Sequence, residues 1–109
     1  MTSYIGCPVE LPPAGDGGLP DVTSGFQSWY KDVPGNADSL ILVRVSPDGD
    51  PVSGNAYNDN YGFNIETAGL TLKECTIDSA ATYHFTQTGH AYAVQLLCLG
   101  KCFVKFIIC

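Results

Sequence analysis

The stretch that decides the fold is residues 81–99, which read ATYHFTQTGHAYAVQLLCL. Bulky and small polar residues alternate before the central Thr88-Gly89 pair, and apolar residues stand at every second position from Tyr92 to Cys98 after it. A period of two is typical of a β-strand with one buried face, and a Thr-Gly pair favours a turn. The stretch therefore predicts two adjacent strands joined by a tight turn.

Shorter pieces of the same pattern lie on either side. Strands are predicted over 26–33, 40–45, 61–66, 70–77, 81–87 and 92–99, with a short one within 1–9. Arg44 is expected on the outer side of the strand over 40–45. A Pro/Gly-rich loop is predicted over 10–25, because proline removes ladder donors. Gly100-Lys101 predicts the turn of a final hairpin, and single helical turns are expected near 36–39 and 78–81.

The composition agrees with a small β protein. The chain has 109 residues, of which 45% are hydrophobic and only 15% charged, with 12 glycines and 7 prolines. About seven short strands with frequent turns predict an all-β fold, a two-sheet antiparallel β-sandwich that forms one domain over 1–109.

Residues 88–94, TGHAYAV, make this prediction more specific. The segment resembles the corner of immunoglobulin-like domains, in which a glycine turn and a tyrosine open the penultimate strand. The resemblance implies an immunoglobulin-like sandwich. The chain lacks the Cys–Trp–Cys spacing of antibody domains, so only the architecture is implied.

The charge excludes some partners. The net charge is −6, which disfavours nucleic acid because binding to phosphates requires clustered Lys and Arg. Residues 79–109 contain no acid, and their only charges are Lys101 and Lys105 beside two histidines. The longest apolar run, 91–99, is too short to span a membrane. No signal peptide is visible at the first residues.

Five cysteines leave an odd thiol within the chain. The candidate disulfides are Cys98–Cys102, across the predicted hairpin, and Cys7–Cys75. Buried free thiols are the alternative. Cys109, as the terminal cysteine, is the expected leftover and could pair between chains. The spacing of these cysteines fits neither a zinc site nor a redox motif.

Catalysis is not expected. The acidic residues lie mostly in predicted turns, where Asp bends the backbone, and neither His84 nor His90 stands in a nucleophile motif. Calcium is the one cofactor considered, with Asp48, Asp50 and Asp59 as candidate ligands, since Ca²⁺ binds several hard oxygens. Turn formation explains the same residues, so that alternative stays open.

Two candidate binding surfaces follow from the pattern. Trp29 and Tyr30 supply rigid aromatic area, although the only tryptophan of a small sandwich is also the expected core residue. Phe103, Lys105 and Ile107 form the predicted outer row of the last strand. That row is unusually apolar and suggests a protein partner or a second copy of the chain.

Residues 21–29, DVTSGFQSW, are similar to the first-loop pattern Asn-Pro-Thr-Thr-Gly-Phe/Tyr-x-Trp of chagasin-type inhibitors of cysteine proteases. The resemblance implies inhibition through loops. The Asn-Pro start is missing, one extra residue precedes Trp29, and Leu-Gly-Lys stands where that family has Arg-Pro-Trp.

The leading hypothesis is a non-enzymatic structural or interaction module of an extracellular or virion-surface assembly. The alternatives are a chagasin-like inhibitor and a calcium-assisted carbohydrate-binding module.

Overall fold

The computed structural model describes residues 1–15, 18, 26–45 and 49–100. The strands are β1 (Thr2–Tyr4), β2 (Val9–Leu11), β3 (Gln27–Lys31), β4 (Leu40–Arg44), β5 (Val52–Ser53), β6 (Tyr61–Phe63), β7 (Leu70–Leu72), β8 (Ala81–Gln87) and β9 (His90–Leu99). Two 3₁₀ turns, Ala37–Ser39 and Ile77–Ser79, lie close to the predicted helical turns. No helix in the described ranges is long and apolar enough to cross a membrane.

The strands form two sheets. The larger has the order β1-β9-β8-β3-β4-β5, and the smaller has the order β2-β7-β6. Every pairing between these strands is antiparallel except β1 with β9, which is parallel. The predicted two-sheet β-sandwich is therefore confirmed, with one parallel pair that the sequence did not predict.

The β8–β9 pair follows the alternation of the sequence closely. Its ladder runs from Ala81 opposite Leu96 to Gln87 opposite His90. Gly89 completes the turn at a φ of 75°, which costs glycine little because it has no Cβ. Tyr83, Phe85, Val94 and Leu96 are buried, as the period of two requires.

Trp29 lies at the centre of the core. Its side chain is fully buried, its ring centroid is 5.3 Å from that of Phe85, and its indole Nε1–H donates to the carbonyl oxygen of Ala68 at 2.9 Å. A buried indole needs such an acceptor, because an unpaired polar group in the core costs free energy. The bond connects β3 to the segment that precedes β7.

Tyr83 ties β8 to the 3₁₀ turn that precedes it. Its hydroxyl donates to the carbonyl oxygen of Ser79 at 2.6 Å and lies 3.2 Å from the hydroxyl of Tyr61. Burial, together with the hydrogen bond to Tyr61, raises the pKa of the Tyr83 phenol well above its ordinary value. The side chain therefore stays neutral in the folded protein.

Arg44 corrects an expectation. The sequence places it on the outer face of its strand, but only 2% of the residue is exposed. Its Nε donates to Oε1 of Gln27 at 2.8 Å, one of its guanidinium nitrogens donates to the carbonyl oxygen of Ile65 at 2.7 Å, and the group lies 5.0 Å from the Phe63 ring centroid. These donors and the aromatic face allow the cation to lie between the sheets.

One disulfide, Cys75–Cys98, joins the end of the smaller sheet to β9 with a Cα–Cα distance of 5.7 Å, which lies within the usual range. This pairing excludes both expected ones, Cys98–Cys102 and Cys7–Cys75, because each of them needs a cysteine that is already bonded. Cys7 is also disulfide-bonded. Cys102, Cys109 and the predicted final hairpin lie outside the described residues.

The remaining differences concern ends of elements. The predicted loop over 10–25 starts inside β2, so only part of it is loop. The predicted strand over 70–77 ends at Leu72, because the backbone of Lys73 and Glu74 bonds to Asn60 instead of to a strand. The Asn60 amide exchanges two hydrogen bonds with the Glu74 backbone, and this pair replaces the ladder.

Candidate functional site

The solvent-facing side of the larger sheet is the candidate site, and we call it the outer face. Its residues match one another across the ladders, and along β8 and β9 they alternate with more buried ones. They are Thr2, Tyr4, Ser28, Tyr30, Val43, Val52, Thr82, His84, Thr86, Ala91, Ala93, Gln95, Leu97 and Leu99. Ser28 on β3 belongs to this set by register but is only 8% exposed.

Among the described residues this set contains no Asp, Glu, Lys or Arg, although the chain has a net charge of −6. The cations of β3 and β4 are turned away from the outer face: Lys31 donates to the carbonyl oxygen of Asp78, and Arg44 lies between the sheets. Glu10 lies on the smaller sheet, where its carboxylate accepts from Asn64 and Thr67. The described side chains of the outer face thus carry no acid or base other than His84, and the ammonium of Met1, which donates to the carbonyl oxygen of Gln95 at 2.8 Å, lies at its β1 edge.

The face is also apolar along the edge formed by β1 and β9. Tyr4 and Leu99 are partners across the parallel ladder and are 42% and 46% exposed, and Leu97 is 45% exposed. Large apolar side chains on a surface are common singly, but a contiguous row of them marks an interaction surface more often.

A depression of about 220 Å³ lies in the middle of the face, lined by Pro34, His84, Phe85, Thr86, Ala91, Tyr92 and Ala93. Ala91 and Ala93, on β9, have small side chains and leave this space open. Its wall is formed by the loop that follows β3, which turns back at Asp32 with a φ of 67°. The Asp32 backbone N–H donates to the carbonyl oxygen of Thr82, and its carbonyl oxygen lies 3.1 Å from Nε2 of His84.

The predicted binding residues have different outcomes. Trp29 is a core residue with no exposed surface, so it cannot contact a partner in the folded chain, and its assignment to a binding surface is corrected. Tyr30 is half-buried and belongs to the outer face, opposite His84 on the neighbouring strand. Phe103, Lys105 and Ile107 lie outside the described residues, as do residues 21–25 of the inhibitor-like segment.

The predicted calcium ligands do not form a cluster in the part of the chain that the structure describes. No group of three His, Cys, Asp or Glu side chains there could hold a metal ion. Asp50 and Asp59 are exposed, and Asp48 lies outside the described residues. Asn58, which precedes Asp59, accepts a hydrogen bond from the Asn60 backbone N–H through its side-chain Oδ1. This is the turn-forming role of such residues.

A second crevice, of about 240 Å³, lies at one end of the sandwich. It is lined by Lys31, Asn58, Asn60, Tyr61, Glu74, Thr76, Asp78 and Ser79. Its polar groups are largely engaged with the loops around it: Asn60 with Glu74, Lys31 with Asp78, and Thr76 with Ser79. We assign it to loop structure.

Comparison with known proteins bears on the fold. No protein-family model matches the chain, and no curated protein matches it. Solved structures do. The crystal structure of murine CEACAM1b matches with a TM-score of 0.66 at 17% identity, covering 91% of this chain and 49% of that chain. This chain thus spans about half the length of that structure.

Two further structures match over most of both chains. The extracellular domains of the voltage-gated sodium channel β4 subunit match with a TM-score of 0.68 at 11% identity, covering 99% of this chain and 90% of that one. Human T-cell immunoglobulin and mucin domain protein 1 matches with a TM-score of 0.65 at 13% identity, covering 91% and 95%. The fold is immunoglobulin-like.

Within the immunoglobulin-like fold, the tyrosine corner is at Tyr83 and not at Tyr92, where the sequence resemblance placed it. In antibody domains the second cysteine of the inter-sheet disulfide follows the corner tyrosine by two residues. That position is Phe85 in this chain, and it packs on Trp29. A phenylalanine therefore stands where antibody domains have the second cysteine, and Cys75–Cys98 crosslinks elsewhere.

Sequence reasoning missed the outer face, although one signal was present. The absence of acids after residue 78 was visible, and so was the alternation in 81–99. Listing only the outward residues of each predicted strand would have shown an uncharged set. What the sequence did not supply is the order of the strands, which places β9 and β3 on either side of β8.

Proposed function

We propose that the chain is a non-enzymatic extracellular interaction module that associates with a second copy of itself through the outer face. The observation that carries the proposal is that the described side chains of this face include no Asp, Glu, Lys or Arg, in a chain of net charge −6. Two copies repel each other on approach through most orientations, because their carboxylates come together. Contact through the outer face brings none of the described carboxylates into the interface.

The apolar row supports the same choice of surface. Tyr4, Leu97 and Leu99 would lose water contact in such a dimer, and each square ångström of buried apolar area contributes about 0.025 kcal/mol. The strands that carry these residues belong to one hydrogen-bonded sheet, so little ordering is required on binding.

The compartment is inferred from two observations. Disulfides persist in oxidising environments such as cell and virion surfaces, and the described part of the chain contains Cys75–Cys98. The extracellular domains of the voltage-gated sodium channel β4 subunit, which share the fold, form parallel homodimers that are said to explain the role of that subunit in cell–cell adhesion. We place this chain in a comparable role on the surface of a cell or a virion.

Sedimentation equilibrium over a range of protein concentrations tests the proposal. We expect a monomer–dimer equilibrium for the wild-type chain and a monomer for Ala93→Glu, which adds a carboxylate to the middle of the outer face. Thr71→Glu is the matched control, because it adds the same charge to the smaller sheet and should leave the equilibrium unchanged. A wild-type chain that stays monomeric at millimolar concentration would refute self-association.

A further inference from the structure

Phe26 is the most prominent apolar side chain beside the outer face. It precedes β3 and is 61% exposed. The next residue, Gln27, points inward to Arg44, so alternation places Phe26 on the same side of the sheet as Ser28 and the rest of the outer face. The β3–β8 ladder starts with Ser28 opposite Thr86, and extending its register by two residues would set Phe26 beside Thr88, just after β8.

The depression on the same face can accept such a side chain. Its volume is about 220 Å³, whereas a cavity of about 150 Å³ suffices for benzene in a protein core. Pro34, Ala91 and Ala93 give it an apolar lining. Phe26 is not among the residues that line the depression of its own chain, and it stays 61% exposed.

We propose that Phe26 of each copy inserts into the depression of the other copy, so that the dimer is held by two equivalent contacts about a two-fold axis. This inference rests on the self-association proposed above and adds the anchor and the geometry. Isologous contacts of this kind close on themselves and leave no open end for further copies. A buried aromatic anchor in a pocket is also the usual form of a binding hot spot.

The geometry fixes the position of the axis. It must pass midway between Phe26 and the depression. Phe26 lies on the β3 side of β8 at the level of Thr88, and the depression lies between β8 and β9 at the level of His84 and Thr86. The midpoint is close to Thr86. Its immediate neighbours on the face, Ser28 and Ala91, are small and let two sheets approach closely.

The first test is truncation of the anchor. Phe26→Ala should raise the dissociation constant of the dimer about tenfold or more in sedimentation equilibrium. Ile77→Ala is the matched control, because Ile77 is 78% exposed and lies in a 3₁₀ turn away from the outer face. Both substitutions are at exposed positions, and far-UV circular dichroism should show the wild-type fold for each.

The second test locates the axis. A residue on a two-fold axis meets its own counterpart, so Thr86→Glu and Thr86→Lys should each be monomeric, and an equimolar mixture of the two should dimerise again. This inference is refuted if the mixture fails to dimerise, or if Phe26→Ala leaves the dissociation constant of the dimer unchanged. In either case, a wild-type chain that dimerises leaves the proposed function intact. A monomeric wild-type chain refutes both.

Discussion

The indole of Trp29 and the carbonyl of Ala68 are joined by a 2.9 Å hydrogen bond in the interior of the sandwich, between β3 and the segment that leads into β7. Both residues are completely buried. The bond connects a strand of the larger sheet to the segment that enters the smaller one, and it is made by the only tryptophan of the chain.

Replacing Trp29 with Phe should lower the free energy of unfolding by about 2–4 kcal/mol, because the ring loses volume and the Ala68 carbonyl loses its donor. Urea unfolding followed by far-UV circular dichroism measures the change. Tyr57→Phe, at an exposed aromatic position, should alter stability by no more than about 0.5 kcal/mol. Equal stabilities for the two variants would contradict the assigned role of Trp29.

Removing the crosslink with the double substitution Cys75→Ala and Cys98→Ala should cost about 3 kcal/mol. The two cysteines are separated by 23 residues, and closing a loop of that size lowers the entropy of the unfolded chain by about that amount. Urea midpoints of the double variant and the wild type provide the comparison. Coincident unfolding curves would show that the bond contributes nothing.

Arg44→Met should destabilise the fold by about 2–4 kcal/mol, because Gln27 and the Ile65 carbonyl lose the donor they share. An arginine on the outer face, as the sequence pattern suggested, would tolerate this change. Lys73→Met removes the same charge from an exposed loop and should leave the urea midpoint where it is. An Arg44 variant as stable as the Lys73 variant would disprove the burial argument.

Alkaline pH should weaken the fold through Tyr83, whose pKa is raised by burial and by Tyr61. Below about pH 10, the ordinary tyrosine pKa, the phenol is protonated in both states and its contribution is fully present. Above that pH the unfolded chain ionises while the folded chain does not, so the free energy of unfolding falls as pH rises.

The matched variant for this prediction is Tyr83→Phe, which cannot titrate. It should be less stable than the wild type at pH 7, since Ser79 loses its hydrogen-bond donor. The difference between their free energies of unfolding should narrow above about pH 10, by up to about 1.4 kcal/mol per pH unit. Parallel pH profiles measured by urea unfolding would show that Tyr83 is not the titrating group.

The sequence predicted the β8–β9 pair well because its evidence is local. The alternation is continuous from Ala81 to Leu99, and the turn between the strands is only two residues long. The short 3₁₀ turns were predicted for the same reason, since Asn36 and Asp78 are typical residues of such turns. Local signals of this kind need no knowledge of the partner strand.

Arg44 and the disulfide could not be predicted in this way. A charged residue at the end of an apolar run is ordinarily an outer residue, and Arg44 is buried because Gln27 lies opposite it in another strand. Cys75 meets Cys98 because an isolated bridge between Ile5 and Cys75 holds the loop beside the sheet edge. Both features depend on contacts between distant segments, which no single stretch of sequence contains.

The parallel pairing of β1 with β9 has a consequence for how the protein is made. Thr2 to Tyr4 leave the ribosome before the other described strands, yet their ladder partners are Leu97 to Leu99, so the sheet is completed only when almost the whole of the described chain has emerged. Until β9 has been synthesised, β1 has no partner strand. Pairing between segments so far apart in sequence is slow, and the nascent chain therefore exposes apolar strands to aggregation, or to chaperones, for most of its synthesis.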